Sequence, residues 1–345
     1  MYKEVKRLVR MDFALPRHNN IMSSSTIQQL IDNAKSGDKS ETKPELGGSD
    51  MGRSCAKTLD VMLKTGHQFV MGKDYHENAA VLLQPSNGGD LYMDMIPSTV
   101  VWAELSGQGN NGQQLPSGGE VVDDKAKFSI TVRAGLSDGV TYGLDEAEVE
   151  TLVAAQSTQQ TYIETVVDKF WTWAFDNAEK VPNLKKAKNE ALSTAVMAIE
   201  MAQGRTVPDT DPDVVAFARK KFVGGARSPF TVGKDGAARF KAGQKVFKKD
   251  PKNKSALVPR FAPRVNQFGQ QLNGTDNETR HVRSKDLVSQ RVRFKTWSAP
   301  FGYGVSCDLI SVDLLASGGG DDGGGKKRSA EESPFSAMFA KRART

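Results

Sequence analysis

Cysteine is nearly missing from this chain of 345 residues: only Cys55 and Cys307 occur. They lie far apart and fit neither a disulfide framework nor a zinc-ligand spacing, which points to a reducing compartment. Long apolar runs are lacking as well. No stretch of about 18 apolar residues is present, and the start, Met1-Tyr2-Lys3-Glu4-Val5-Lys6-Arg7, has no apolar segment of signal-peptide length. Neither secretion nor membrane spanning is therefore expected, and the sequons Asn273-Gly274-Thr275 and Asn277-Glu278-Thr279 read as polar turn chemistry. The four histidines, His18, His67, His76 and His281, are scattered without metal-ligand spacing, and His76 beside Glu77 reads as a surface pair.

Motifs of nucleotide chemistry are equally sparse. There is no Gly-x-x-x-x-Gly-Lys-Ser/Thr loop. Gly107-Gln108-Gly109-Asn110-Asn111-Gly112 has the glycine spacing of a dinucleotide site, but that site needs a helix opening at the glycines. Here Leu115-Pro116-Ser117-Gly118-Gly119 follows and would break one, so a loop between strands is expected. Asp209, Asp211 and Asp213 open a helical pattern and read as capping residues rather than metal ligands. With no nucleophile motif or ligand cluster, the expectation is a protein that is not an enzyme and has no metal or cofactor.

Positive charge is present and segregated. Between Arg219 and Lys295 there are 20 Lys and Arg against 5 acids, a local excess of +15 in a chain whose net charge is +6. Phe217, Phe222, Phe230, Phe240, Phe247, Phe261, Phe268, Phe294 and Trp297 lie in or beside this window. Cations for phosphates and rings for bases suit single-stranded nucleic acid, with DNA ahead of RNA. In Arg291-Val292-Arg293-Phe294-Lys295-Thr296-Trp297 the strand period puts Arg291, Arg293, Lys295 and Trp297 on one face and Val292, Phe294 and Thr296 on the other. Phosphate contacts are expected from Arg239, Lys241, Lys245, Lys248, Lys249, Arg260, Arg264, Arg291, Arg293 and Lys295. Stacking is expected from Phe240, Phe247, Phe261, Phe268, Trp297 and Tyr303, some of which must instead be core.

The surrounding pattern is α+β. Residues 1–50 form a peripheral segment with a short helix from Thr26 to Ala34, and a helix is expected from Ala56 to Lys64. Extended segments follow at Ala79–Leu83, Leu91–Ile96, Thr99–Leu105 and Lys127–Ala134, the last alternating Phe128, Ile130 and Val132 with polar residues. Helical periodicity runs from Asp145 to about Lys180, then from Lys185 to Ala202 and from Pro212 to Lys221, with Asp211 as cap. At least one of Trp171 and Trp173 is expected to be core. Strands return at Arg239–Lys248, Leu287–Trp297 and Tyr303–Leu315, separated by a basic, aperiodic loop from Lys249 to Val282.

The basic strand, then Ser298-Ala299-Pro300-Phe301-Gly302-Tyr303-Gly304, then the apolar strand Val305–Leu315, resembles the end of the oligonucleotide-binding (OB) barrel in viral single-stranded DNA-binding proteins. The likeness covers about 80 residues. It implies a five-stranded OB-like antiparallel β-barrel within the core read over 51–315, while the helical insertion over 144–222 departs from a minimal barrel and leaves the strand order open. It also implies a protein that coats exposed single strands in replication or recombination. Beyond the core, 316–345 is a Gly-rich linker and basic tail, expected to be disordered like the N-terminus. Lys326-Lys327-Arg328 and Lys341-Arg342-Ala343-Arg344 have the spacing of a bipartite nuclear localisation signal for an import receptor, with Lys326, Lys327, Arg328, Lys341, Arg342 and Arg344 as its cations. Host-nuclear localisation follows from that reading, and Pro334–Phe339 reads as a docking peptide for replication proteins. Two alternatives stay open: a nucleoprotein that packages nucleic acid, and a nuclear scaffold whose basic face binds an acidic partner.

Overall fold

The structure, a computed structural model, describes residues 49–318 except 74–78, 106–108, 116–117, 138–139, 141, 182, 251, 254, 260–262, 268–269, 272–281 and 300. The helix expected at Thr26–Ala34, the His76–Glu77 pair and both basic clusters of the tail lie outside the described residues. In chain order, α1 (Ser49–Thr65) leads into β1 (His67–Lys73), β2 (Ala79–Pro85), β3 (Met93–Asp94), β4 (Ser98–Glu104) and β5 (Lys127–Arg133). Three helices follow, α2 (Glu146–Asp176), α3 (Leu184–Gln203) and α4 (Pro212–Gly225). The chain then returns to strands β6 (Phe230–Val232), β7 (Ala238–Lys245), β8 (Phe247–Lys249), β9 (Leu257–Pro259), β10 (Arg264–Gln267), β11 (Gln270–Gln271), β12 (Leu287–Ala299) and β13 (Gly302–Ala316).

The main sheet runs β11-β10-β13-β12-β4-β5-β7-β6, with β2 and β3 also paired to β12 and β1 paired to β2. It is antiparallel except for β10 beside β13. It also curls back on itself. Arg227, just before β6 at one end of the order, bridges Gly304 of β13 in parallel: its N–H donates to the Tyr303 carbonyl at 2.9 Å, and Val305 N–H donates to its carbonyl at 3.0 Å. A sheet closed this way hides part of its edge, the general advantage of barrels. Ile130, Phe240, Val292, Phe294, Leu309 and Val312 are all buried in the resulting core, while Phe128 is buried in a smaller cluster with Val121, Ala126 and Val246.

Helix α2 begins with a full capping box: Glu148 N–H donates to Asp145 and Asp145 N–H donates to Glu148. Its buried Gln156 and Gln159 explain why the extended segment at Leu91–Ile96 is a ladder over Met93–Asp94 only. Gln159 donates to the Asp94 carbonyl and accepts from Ile96 N–H, while Gln156 donates to the Pro97 carbonyl and accepts from Gly135 N–H. Helix side chains thus take the backbone groups that a strand would otherwise have paired. Trp171, Phe175 and Phe222 fasten α2 and α4 together, with Trp171 buried and Trp173 exposed.

Two expectations change. The segment from Lys249 to Val282 is not wholly aperiodic: β8 and β9 form a separate hairpin, and β10 docks beside β13, where Asn266 donates to Asp313 at 2.5 Å. These strands are too short and polar to show a period, and tertiary pairing makes them. Strands β1 and β6 were also not expected. Gly109, in the glycine-rich segment, has φ +56 and sits so close to the Lys127 carbonyl that a Cβ would overlap it, so this glycine serves loop packing.

Candidate nucleic-acid interface

Strands β5 and β7 pair so that Lys127 faces Lys245, Thr131 faces Lys241 and Arg133 faces Arg239. Paired residues share a face, and the intervening Phe128, Ile130, Val132, Phe240 and Ala242 are buried on the other. The outer face is therefore basic. Arg133 and Arg239 both lie against Asp235, at 3.3 and 3.4 Å, which offsets part of their charge. Lys127, Lys241 and Lys245 are exposed and in no ion pair among the described residues. They repel one another: partial desolvation and then the charges of Lys241, Lys245 and Lys295 hold the Lys127 ammonium below the usual lysine range. An anionic ligand would relieve that repulsion.

Trp102 belongs to the same face. A β-bulge in β4 makes Trp102 face Thr131, after Val100 faces Val132. Without the extra residue, Val101, the ladder would set Trp102 opposite buried Ile130; the bulge turns the indole outward, where it is 42% exposed. Trp102, Thr131 and Lys241 form one cross-strand row, a flat ring two strands from an ammonium.

A second aromatic group stands at the β12–β13 turn. Trp297 lies 6.1 Å from Phe301, and the Arg227 guanidinium sits 5.6 Å over the Trp297 ring. Gly304, directly opposite Trp297, is hemmed in by the Arg227 backbone, which would overlap a Cβ there.

The other expected site residues divide. Lys295 joins the lysine group but is also paired with Asp308 at 2.7 Å. Arg264 and Arg291 share a row through Ser311, and Arg291 is held by Asp94 in two bonds of 2.8 and 3.0 Å. Phe247 is half-buried against Phe128 and its neighbours. Lys248 and Lys249 lie in β8, though their side chains, like Arg260, Phe261, Phe268 and the six cations of the tail, are outside the described residues.

Three of the expectations are corrected. Phe240 is 4% exposed and packs between Phe230 and Phe294, because it falls on the inward parity of β7. Arg293 is buried and paired with Asp308 at 2.8 Å, the residue that the β12–β13 ladder sets directly opposite it. Tyr303 stacks on Phe222 and its hydroxyl donates to the Phe222 carbonyl at 2.7 Å, with burial pushing the phenol up to about 12. Tyr303 thus ties the barrel to α4. Tyr303→Phe should lower stability by about 1 kcal/mol in denaturant unfolding while leaving ligand affinity unchanged.

Lys127, Trp102, Arg227 and Phe301 were not among the expected contacts. The alternation of Phe128, Ile130 and Val132 already placed Lys127 outward. Nothing local revealed the bulge beneath Trp102 or the bridge that carries Arg227 to Trp297.

No family model and no curated protein matches this chain. Solved structures do. The single-stranded DNA-binding protein from bacteriophage Enc34 is similar over 76% of this chain and 98% of its own, at 11% identity and a TM-score of 0.33. Its complex with ssDNA is similar over 72% and 96%, at 12% identity and a TM-score of 0.32. The single-stranded DNA-binding protein gp2.5 of bacteriophage T7 is similar over 68% and 98%, at 13% identity and a TM-score of 0.31.

Proposed function

We propose that this protein binds single-stranded DNA and coats it during replication or recombination, without catalysis. The observation that carries the reading is the outer face of β4, β5 and β7, where Lys127, Lys241 and Lys245 stand in no ion pair among the described residues, around an exposed Trp102. Phosphate neutralisation and base stacking are separate sources of affinity, and this face supplies both on one curved surface. Its cations project from strands, whereas duplex readers generally place a helix in the major groove. For the tail, we propose from sequence that Lys326–Arg328 and Lys341–Arg344 act together as a nuclear import signal and that Pro334–Phe339 docks a replication partner.

Anisotropy of a labelled oligonucleotide, titrated across a salt series with single-stranded and duplex DNA in parallel, tests the central claim. Single strands should bind tighter, with affinity falling steeply as salt rises. Trp102→Ala should weaken single-strand binding about 10-fold, as the loss of one stacked base would, without altering the salt slope. Equal affinity for duplex would instead favour packaging of nucleic acid, and no binding at low salt would favour a scaffold for an acidic protein.

A further inference from the structure

We propose that Trp297, Phe301 and Arg227 form a second station for one unpaired nucleobase, and that Arg227 covers the Trp297 ring until the base arrives. This rests on the single-strand reading above. Phe301 is 73% exposed at the turn between β12 and β13, a large apolar ring with no cover among the described residues. Its plane is tilted 37° to that of Trp297, so the two rings form an open wedge instead of a closed stack. Glycine lets Arg227 approach: Gly304 faces Trp297 across the ladder, and a Cβ there would overlap the Arg227 backbone.

Arg227 is in no ion pair among the described residues, and its guanidinium rests over Trp297. A planar cation over an indole occupies the same place as a stacked base. A base entering the wedge displaces the guanidinium, which then has a phosphate of the same strand as its new partner. The station continues the basic face. Lys295 is two residues before Trp297 on the same side of β12, about 6.6 Å along the strand. It also lies within the electrostatic reach of Lys127. A strand crossing the Lys127 group would thus pass Lys295 on its way to Trp297.

The test compares a thymidine oligonucleotide with an abasic oligonucleotide of equal length, which keeps the phosphates but has no bases. Phe301→Ala, at an exposed position, and Trp297→Ala should each weaken thymidine binding about 10- to 100-fold. Abasic binding and the salt slope should stay at wild-type values, and Trp297→Phe should restore most of the loss. Arg227→Ala should weaken abasic binding and reduce the salt slope by about 0.7, while raising the preference for thymidine over abasic strand. Equal losses on both oligonucleotides, or no loss in Phe301→Ala and Trp297→Ala, would overturn the station while leaving the single-strand reading intact. Failure of the wild type to bind either oligonucleotide at low salt would overturn both.

Discussion

Replacing Lys127, Lys241 and Lys245 together by glutamine should lower affinity for single-stranded DNA about 100-fold at 0.1 M salt, with the fold retained. The magnitude follows from counterion release: each phosphate neutralised on a single strand adds about 0.7 to the slope of log affinity against log salt, so three lost contacts remove about 2. The measurement is the slope itself, since a misfolded variant loses affinity without a defined change in salt dependence. The same substitution should leave the melting temperature unchanged or raise it. The three ammonium groups are exposed, unpaired among the described residues and mutually repulsive, and repulsion is what lowers the Lys127 ionisation in part. A surface that is slightly unfavourable to its own fold and favourable to an anion is the expected signature of a binding face. An unchanged salt slope in the triple variant would move the phosphate contacts elsewhere.

The placement of that face shows what was legible in the sequence. Alternation in Lys127–Arg133 gave the inward Phe128, Ile130 and Val132 directly, and pairing with β7 then set Lys245 opposite Lys127 and Lys241 opposite Thr131 on the same face. A local capping signal was equally readable: Asp211 caps the helix it precedes, and Asp145, placed at the start of a helical pattern, is the cap of α2. The failures share a physical cause, which is that the strand period says nothing about what covers a face. Arg293 and Lys295 have the same parity as exposed Arg291, yet Arg293 is buried against Asp308, which the ladder sets opposite it on β13. Phe240 and Tyr303 were read as rings among cations, whereas their partners Phe294 and Phe222 are distant in sequence. A bulge is likewise a property of the pair of strands, which is why Trp102 was missed.

The correction of Arg293 carries the largest expected stability effect. Asp308 holds two cations, Arg293 at 2.8 Å and Lys295 at 2.7 Å, and both Asp308 and Arg293 are buried. Asp308→Ala should lower unfolding stability by about 3–5 kcal/mol, because a guanidinium is left inside the sheet without its carboxylate. That is a large part of the roughly 5–15 kcal/mol that a domain has in total. The double substitution Arg293→Met with Asp308→Leu should recover most of the loss, since two apolar side chains need no desolvation of charge. Its effect on binding separates two accounts of this strand. If Arg293 is a structural cation, the double variant binds single-stranded DNA at least as tightly as wild type, because Lys295 is released from Asp308 toward phosphate and the salt slope rises by about 0.7. Should Arg293→Met alone weaken binding with unfolding unchanged, Arg293 would belong among the phosphate contacts after all, and the buried pair would have to open when the strand is bound.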